Sequence, residues 1–109
     1  MALKKFAKKF DSFRIHEKRS LTEKLCEIVF YSEDEKQWAE IFEAEFGPPI
    51  KKKGDPLPVN EQHWISATGG IWKDQTLYGE FIHNGIVIAK FQPWKDGKHI
   101  TLKMIVITK

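Results

Sequence analysis

Two short turn signals near the C-terminus constrain the fold more than any other feature of this chain. Asn84-Gly85 and Lys95-Asp96-Gly97 each separate runs of apolar and β-branched residues. Asn-Gly is typical of a two-residue hairpin loop, because a type I′ turn requires positive φ at both central residues. The pattern therefore predicts a three-stranded antiparallel meander with strands over 76–83, 86–94 and 98–107.

Upstream of the meander, the clearest predicted element is an amphipathic helix over 33–46. Its apolar side chains recur at helical spacing, and a Gly-Pro-Pro sequence follows as a stop. The apolar residues are Trp38, Ile41, Phe42 and Phe46, and the stop is Gly47-Pro48-Pro49. The chain of 109 residues is long enough to bury a core as one domain, which we predict to be α+β.

Two further strands are predicted, one before the helix and one between the helix and the meander. Residues 24–31 have the composition of a strand, although Ser20 and Glu23 also form a capping-box pattern that would begin a helix. Residues 62–67 form the other strand, with Gly69-Gly70 as a turn or bulge after it. Together with the meander they predict an antiparallel sheet of four to five strands.

The N-terminal segment 1–19 is basic and is predicted to include a short amphipathic helix at the periphery of the domain. Apolar residues at three- and four-residue spacing face one side, and four lysines face the other. These lysines are Lys4, Lys5, Lys8 and Lys9. Three alternatives follow: the helix packs on the domain, lies on an anionic membrane or partner, or acts as a mobile arm that contacts phosphates.

Charge is distributed unevenly along the chain, whose net charge is +3. Residues 1–24 contain eight basic and three acidic side chains, whereas residues 25–46 contain one basic and seven acidic ones. A uniformly basic domain would indicate a nucleic-acid partner. A basic arm followed by an acidic helix leaves open whether the two neutralise each other within one molecule or between copies.

Several kinds of chemistry have no signal in the sequence. Cys26 is the only cysteine, so it is predicted to be a small buried hydrophobe. We find no metal-ligand spacing, no glycine-rich phosphate loop and no nucleophile beside a base, so no catalytic residue, metal site or cofactor is predicted. No apolar run is long enough to span a bilayer, and no signal-peptide core is present, so a cytoplasmic location is expected.

The predicted register sorts the meander into two faces. It places His83 opposite Ile86 and Trp94 opposite Lys98, with a three-residue loop at 95–97. A core face, covered by the 33–46 helix, then holds Leu77, Phe81, Ile86, Ile88, Ile100, Leu102, Met104 and Val106. A four-residue loop that includes Lys98 would instead move the third strand to the opposite face.

The second predicted face is the candidate for binding. Tyr78 lies directly opposite Phe91 in this register, and the pair is rimmed by His99, Thr101 and Lys103. An aromatic pair on an open sheet face can stack bases or hold an apolar side chain of a partner. Apolar residues elsewhere on this face could also be covered by the N-terminal helix or by a second copy of the chain.

These patterns favour a non-enzymatic interaction domain that binds a protein partner or forms a homo-oligomer. One alternative is a nucleic-acid-binding domain that uses the 1–24 arm, the Tyr78/Phe91 pair and the loop lysines Lys51, Lys52 and Lys53. Another is a small-ligand-binding protein or enzyme with a pocket lined by His63, His83 or His99.

Overall fold

The computed structural model describes residues 2–56 and 71–108, and within them five strands form one sheet. The strands are β1 (Glu17–Leu21), β2 (Leu25–Tyr31), β3 (Thr76–Ile82), β4 (Gly85–Pro93) and β5 (His99–Thr108). All neighbours are antiparallel, in the order β1-β2-β5-β4-β3. The predicted α+β fold is confirmed, while the predicted strand at 62–67 and the turn at Gly69-Gly70 lie outside the described residues.

Two helices accompany the sheet. Helix α1 (Leu3–Phe6) continues as a 3₁₀ turn over Ala7–Phe10, and a 3₁₀ turn over Ser32–Asp34 leads into α2 (Glu35–Phe46). Helix α2 ends as predicted at Gly47, whose φ is 79° and whose N–H donates to the Glu43 carbonyl at 2.9 Å. No helix in the described part of the chain is both long and apolar enough to cross a membrane.

Both helices pack against the same side of the sheet, which we call the helix face. Trp38 of α2 stacks on Phe30 of β2 with ring centroids 4.6 Å apart, and Phe10 lies 4.8 Å from the same indole. Leu3 and Phe6 are also buried here, so the N-terminal helix packs on the domain, the first of the three alternatives. The apolar stripe of this basic segment is part of the main core.

The β3–β4 turn differs from the predicted one by two residues in strand pairing. Ile82 pairs with Gly85, so the loop is His83-Asn84, and neither Asn84 nor Gly85 has positive φ. The predicted type I′ turn was therefore wrong. Gly85 is required for another reason: a Cβ at this position would overlap the carbonyl oxygen of Ile107. A shift of two residues leaves every side chain of both strands on its predicted face.

The β4–β5 loop is one residue longer than predicted. This difference moves every side chain of β5 to the opposite face of the sheet from the one predicted. Pro93 pairs with Ile100, and the Trp94 N–H donates to the His99 carbonyl at 2.9 Å, so the loop has the four residues 95–98. The predicted pairing of Trp94 with Lys98 was wrong. The Asp96 carboxylate accepts the backbone N–H of Lys98 at 2.8 Å and that of His99 at 3.2 Å, which stabilises the longer loop.

The reversal of β5 redistributes the apolar residues of the sheet. Ile100, Leu102, Met104 and Val106 join Phe91 on the helix face rather than Ile88. The predicted core face therefore does not exist as one surface, and α2 covers the opposite side of β3 and β4 from the one expected.

The remaining side, which we call the far face, changes character from one end to the other. Its apolar end holds Ile86 and Ile88, which cluster with Leu77 of β3 and with Ile50 and Ile71 packed against them. A charged row across the middle joins Glu27, Lys103 and Lys90 on adjacent strands. The opposite end carries the row of Tyr31, His99 and Trp94.

Candidate functional site

The predicted Tyr78/Phe91 platform is not an open surface. The two rings are 5.6 Å apart, but they lie on the helix face, where Phe42 contacts both of them. Tyr78 is 2% exposed and Phe91 is 1% exposed. Burial, and secondarily the neighbouring Glu43, raises the pKa of Tyr78 to about 12. Of the two possibilities for this face, open or covered, the rings are covered, and their cover is α2 rather than the N-terminal helix or a second copy.

The three residues predicted to rim the platform lie on the other side of the sheet. His99, Thr101 and Lys103 alternate along β5 on the far face, away from Tyr78 and Phe91. Thr101 is buried, and its hydroxyl accepts a hydrogen bond from the Trp94 indole at 2.8 Å. These three residues of β5 therefore share a face, as predicted, but it is the opposite face from that of the aromatic pair.

The loop lysines divide into one buried and two exposed residues. The Lys51 ammonium donates to the carbonyls of Lys52, Lys73 and Gln75, at 3.1, 2.8 and 2.6 Å. Burial lowers the pKa of Lys51, and the hydrogen bonds anchor the loop beside β3. Lys52 and Lys53 are exposed, so the lysine triplet is not one continuous basic patch.

The N-terminal lysines are exposed, as their helical spacing indicates. Lys4, Lys5, Lys8 and Lys9 lie on the outer side of α1 and of the 3₁₀ turn that follows it. The Lys9 ammonium lies 5.6 Å from the centre of the Phe6 ring. Their role in binding stays a prediction.

A cluster that the sequence did not predict forms where the ends of β2, β4 and β5 meet the start of β1. We call it the aromatic corner, and it consists of His16, Tyr31, Trp94 and His99 with Arg14 and Arg19 beside them. The His16 and His99 rings are 4.2 Å apart, and Trp94 lies 4.9 Å from His99. Four rings, from β2, β5 and the residues next to β1 and β4, thus converge on one edge of the far face.

Two guanidinium groups stack on this corner. Arg14 lies 4.2 Å from the centre of the Tyr31 ring, and Arg19 lies 5.6 Å from that of Trp94. Each arginine also forms ion pairs, which fix its orientation. The partners are Glu33 and Asp34 for Arg14, and Glu17 and Glu27 for Arg19. The arginines are therefore exposed but held in place.

One carboxylate orients an imidazole of the corner. The Asp96 Oδ2 lies 2.6 Å from the Nδ1 of His99. The backbone N–H of Lys98 and then the His99 side chain lower the pKa of Asp96, so the carboxylate is ionised over the physiological range. A depression of about 420 Å³ adjoins this pair, between the end of β2 and the 95–98 loop. The corner can thus receive a side chain from a partner.

The histidine-pocket alternative receives little support from the geometry. Among the histidines that the structure describes, His16 is the imidazole neighbour of His99, and His83 is exposed in the β3–β4 loop. His63 lies outside the described residues. In residues 2–56 and 71–108, no three His, Cys, Asp or Glu side chains are grouped to hold a metal ion.

Only His99 of the corner was predicted to be a binding residue. Arg14, His16 and Arg19 were missed because strand β1 was not predicted, and without it they have no defined neighbours. Trp94 was missed because the predicted register placed it opposite Lys98 rather than His99. One signal was present: Phe13 to His16 alternate between apolar and polar residues, which indicates an extended segment rather than the end of a helix.

Comparison of the chain with protein-family models, with curated proteins and with solved structures gives no match.

Proposed function

We propose that this chain is a non-enzymatic interaction domain and that the aromatic corner is the surface on which it binds a protein partner, either another protein or a second copy. The observation that carries the proposal is the convergence of Tyr31 and Trp94 with two stacked arginines at one edge of the sheet. Tryptophan, tyrosine and arginine are the residues most enriched among those that dominate the binding energy of protein interfaces.

The arrangement also lowers the entropy that binding would cost. Trp94 is held by its hydrogen bond to Thr101, and His99 is held by Asp96. The ion pairs of Arg14 and Arg19 restrict the two longest side chains of the corner. Side chains that are already ordered lose less freedom when a partner docks, so more of the contact energy appears as affinity.

The nucleic-acid alternative is weaker because its proposed stacking platform is buried. Tyr78 and Phe91 are core residues, and the Lys51 ammonium already donates hydrogen bonds to three carbonyl groups. The arginines of the corner are paired with carboxylates, which reduces their availability to phosphates.

Site-specific photo-crosslinking in cells that express the chain tests this proposal. A photoreactive residue at Lys98, which lines the depression at the corner, should give a discrete protein adduct. The same residue at Lys52, exposed in the loop after α2, should not. An adduct with twice the mass of the chain would identify a second copy as the partner.

The variant Arg19→Glu should abolish the Lys98 adduct because it reverses the charge beside Trp94. Equal adducts from Lys98 and Lys52, no adduct at Lys98, or an adduct only with nucleic acid would each contradict the proposal.

A further inference from the structure

A second concave site lies on the other side of the sheet from the aromatic corner. It is a groove of about 310 Å³ between the N-terminal helical segment and the edge strand β1. Residues from α1 and its 3₁₀ extension form one wall, and Lys18, Ser20 and Leu21 of β1 form the other. Small-molecule sites in proteins begin at about this volume, roughly 300 Å³.

The interior of the groove is apolar. Its apolar lining consists of Ala7, Phe10, Ile15, Leu21 and Ile28. Phe10 and Ile28 belong to the main core, so the base of the groove is rigid. Leu21 is 46% exposed, and its side chain would gain from being covered by an apolar ligand.

The rim of the groove is basic. Lys4, Lys8 and Lys18 line it from two elements, and Asp11 is the acidic residue at its edge. None of these three ammonium groups forms an ion pair with a residue that the structure describes. An apolar groove with a net positive rim is complementary to a molecule that has an apolar chain and an anionic head.

Two larger occupants fit the groove less well. A membrane surface would need the apolar stripe of the N-terminal helix, but Leu3 and Phe6 are buried in the core. An extended peptide would add to the edge of β1, but this strand has a register irregularity between Lys18 and Ser20 and carries charged side chains. Both features are typical of edge strands that do not accept a further strand.

We propose that this groove binds a fatty-acid anion, with a single alkyl chain along Leu21 and Ile28 and the carboxylate among the ammonium groups of Lys4, Lys8 and Lys18. The volume is suited to one chain rather than to a two-chain lipid. This site does not depend on the aromatic corner, because Lys18 and Ile28 project from the helix face.

Isothermal titration of the full chain with decanoate, below its micelle concentration, tests the proposal. We expect saturable binding of one decanoate per chain. Octanoate should bind more weakly, by about fourfold for each methylene removed. Uncharged 1-decanol should bind more weakly than decanoate because it gives the lysines no anion to pair with. Absence of saturable binding, or equal affinity for decanol and decanoate, would overturn the proposal.

Substitutions at exposed positions locate the site. The double variant Lys8→Gln/Lys18→Gln should weaken decanoate binding by about tenfold or more, since charge-assisted contacts are lost. Leu21→Ser should weaken it severalfold. The matched control Lys52→Gln/Lys53→Gln removes the same charge away from the groove and should leave the affinity unchanged. Equal weakening by the two double variants would show only a nonspecific charge effect and would refute the site.

Discussion

The helix face and the far face of the sheet bury their side chains against different kinds of neighbour. On the helix face, aromatic rings from α2 and the N-terminal segment interlock with rings of the sheet, as in the stack of Trp38 on Phe30. The far face passes from an apolar end through Lys103 and Lys90 to the aromatic corner. The two faces therefore divide the packing unevenly, with the aromatic core concentrated on the helix face.

The largest expected difference between the faces comes from two phenylalanines. Phe42 is fully buried among five aromatic neighbours on the helix face, whereas Phe81 is 70% exposed on the far face. Phe42→Ala should lower the free energy of unfolding by about 3–5 kcal/mol, because it leaves a cavity in the core. The matched Phe81→Ala variant should change it by about 0.5 kcal/mol or less. Urea denaturation measures both values.

If Phe42→Ala unfolds the chain outright, Phe42→Leu provides a milder comparison with Phe81→Leu. Equal losses at the two positions would contradict the division between the faces.

The second prediction concerns alkaline pH. Burial raises the pKa of Cys26 on the helix face from 9.0 to about 11. The unfolded thiol ionises first, so the stabilisation is complete below pH 9 and is lost as the pH rises through 11. Between pH 9 and 11 the wild-type chain should lose on the order of 2 kcal/mol that the Cys26→Ala variant does not lose. Denaturation curves at each pH provide the measurement.

The pKa shift of Lys90, on the far face, changes the stability in the opposite direction as the pH rises. Burial, and then the neighbouring Lys103, lowers its pKa below 10.5. The unfolded chain therefore holds the proton at higher pH, and the contribution of Lys90 to stability increases as the pH rises towards 10.5. The comparison with Cys26→Ala separates the two effects. Parallel pH profiles for wild type and Cys26→Ala would show that the thiol is not shielded in this way.

The smallest expected effect comes from the loop that sets the register of β5. Asp96→Ala removes the acceptor for the N–H groups of Lys98 and His99, so it should lower the melting temperature at pH 7. Because the pKa of Asp96 is below 3.8, its stabilising effect is present above that pH and disappears on further acidification. The difference between variant and wild type should therefore shrink at low pH.

Asp11→Ala is the control for this loop, since the Asp11 carboxylate accepts no hydrogen bond from the described residues. A larger loss for Asp11→Ala than for Asp96→Ala would mean that Asp96 does not stabilise the loop.

Local signals were sufficient to predict α2, β2 and the meander. Helical periodicity and the Gly47 stop defined α2, and β-branched composition defined β2. Strand β1 was missed because its five residues, Glu17–Leu21, are almost all exposed and lack apolar alternation. An edge strand of this kind is held by its backbone pairing to β2, which a single sequence does not reveal.

Register was harder to predict, because a small error in the position or length of a turn has very different consequences at the two turns. An error of two residues at His83-Asn84 kept the faces of β3 and β4, but an error of one residue at 95–98 reversed the whole of β5. The loop length depends on the hydrogen bonds of Asp96 and on the burial of Leu102 in the main core, and the second of these is a tertiary contact. The aromatic corner could not be predicted for the same reason, since its rings come from four separate strands or strand ends.

The single thiol of the chain can report opening of the core on the helix face. Cys26 is fully buried in the same cluster as Leu3 and Phe10 of the N-terminal segment, so a thiol reagent can reach it only when this core opens. Labelling kinetics under native conditions would therefore report the rate and the free energy of that opening without any introduced probe. Applied with and without decanoate, the same measurement would show whether occupation of the neighbouring groove slows this opening.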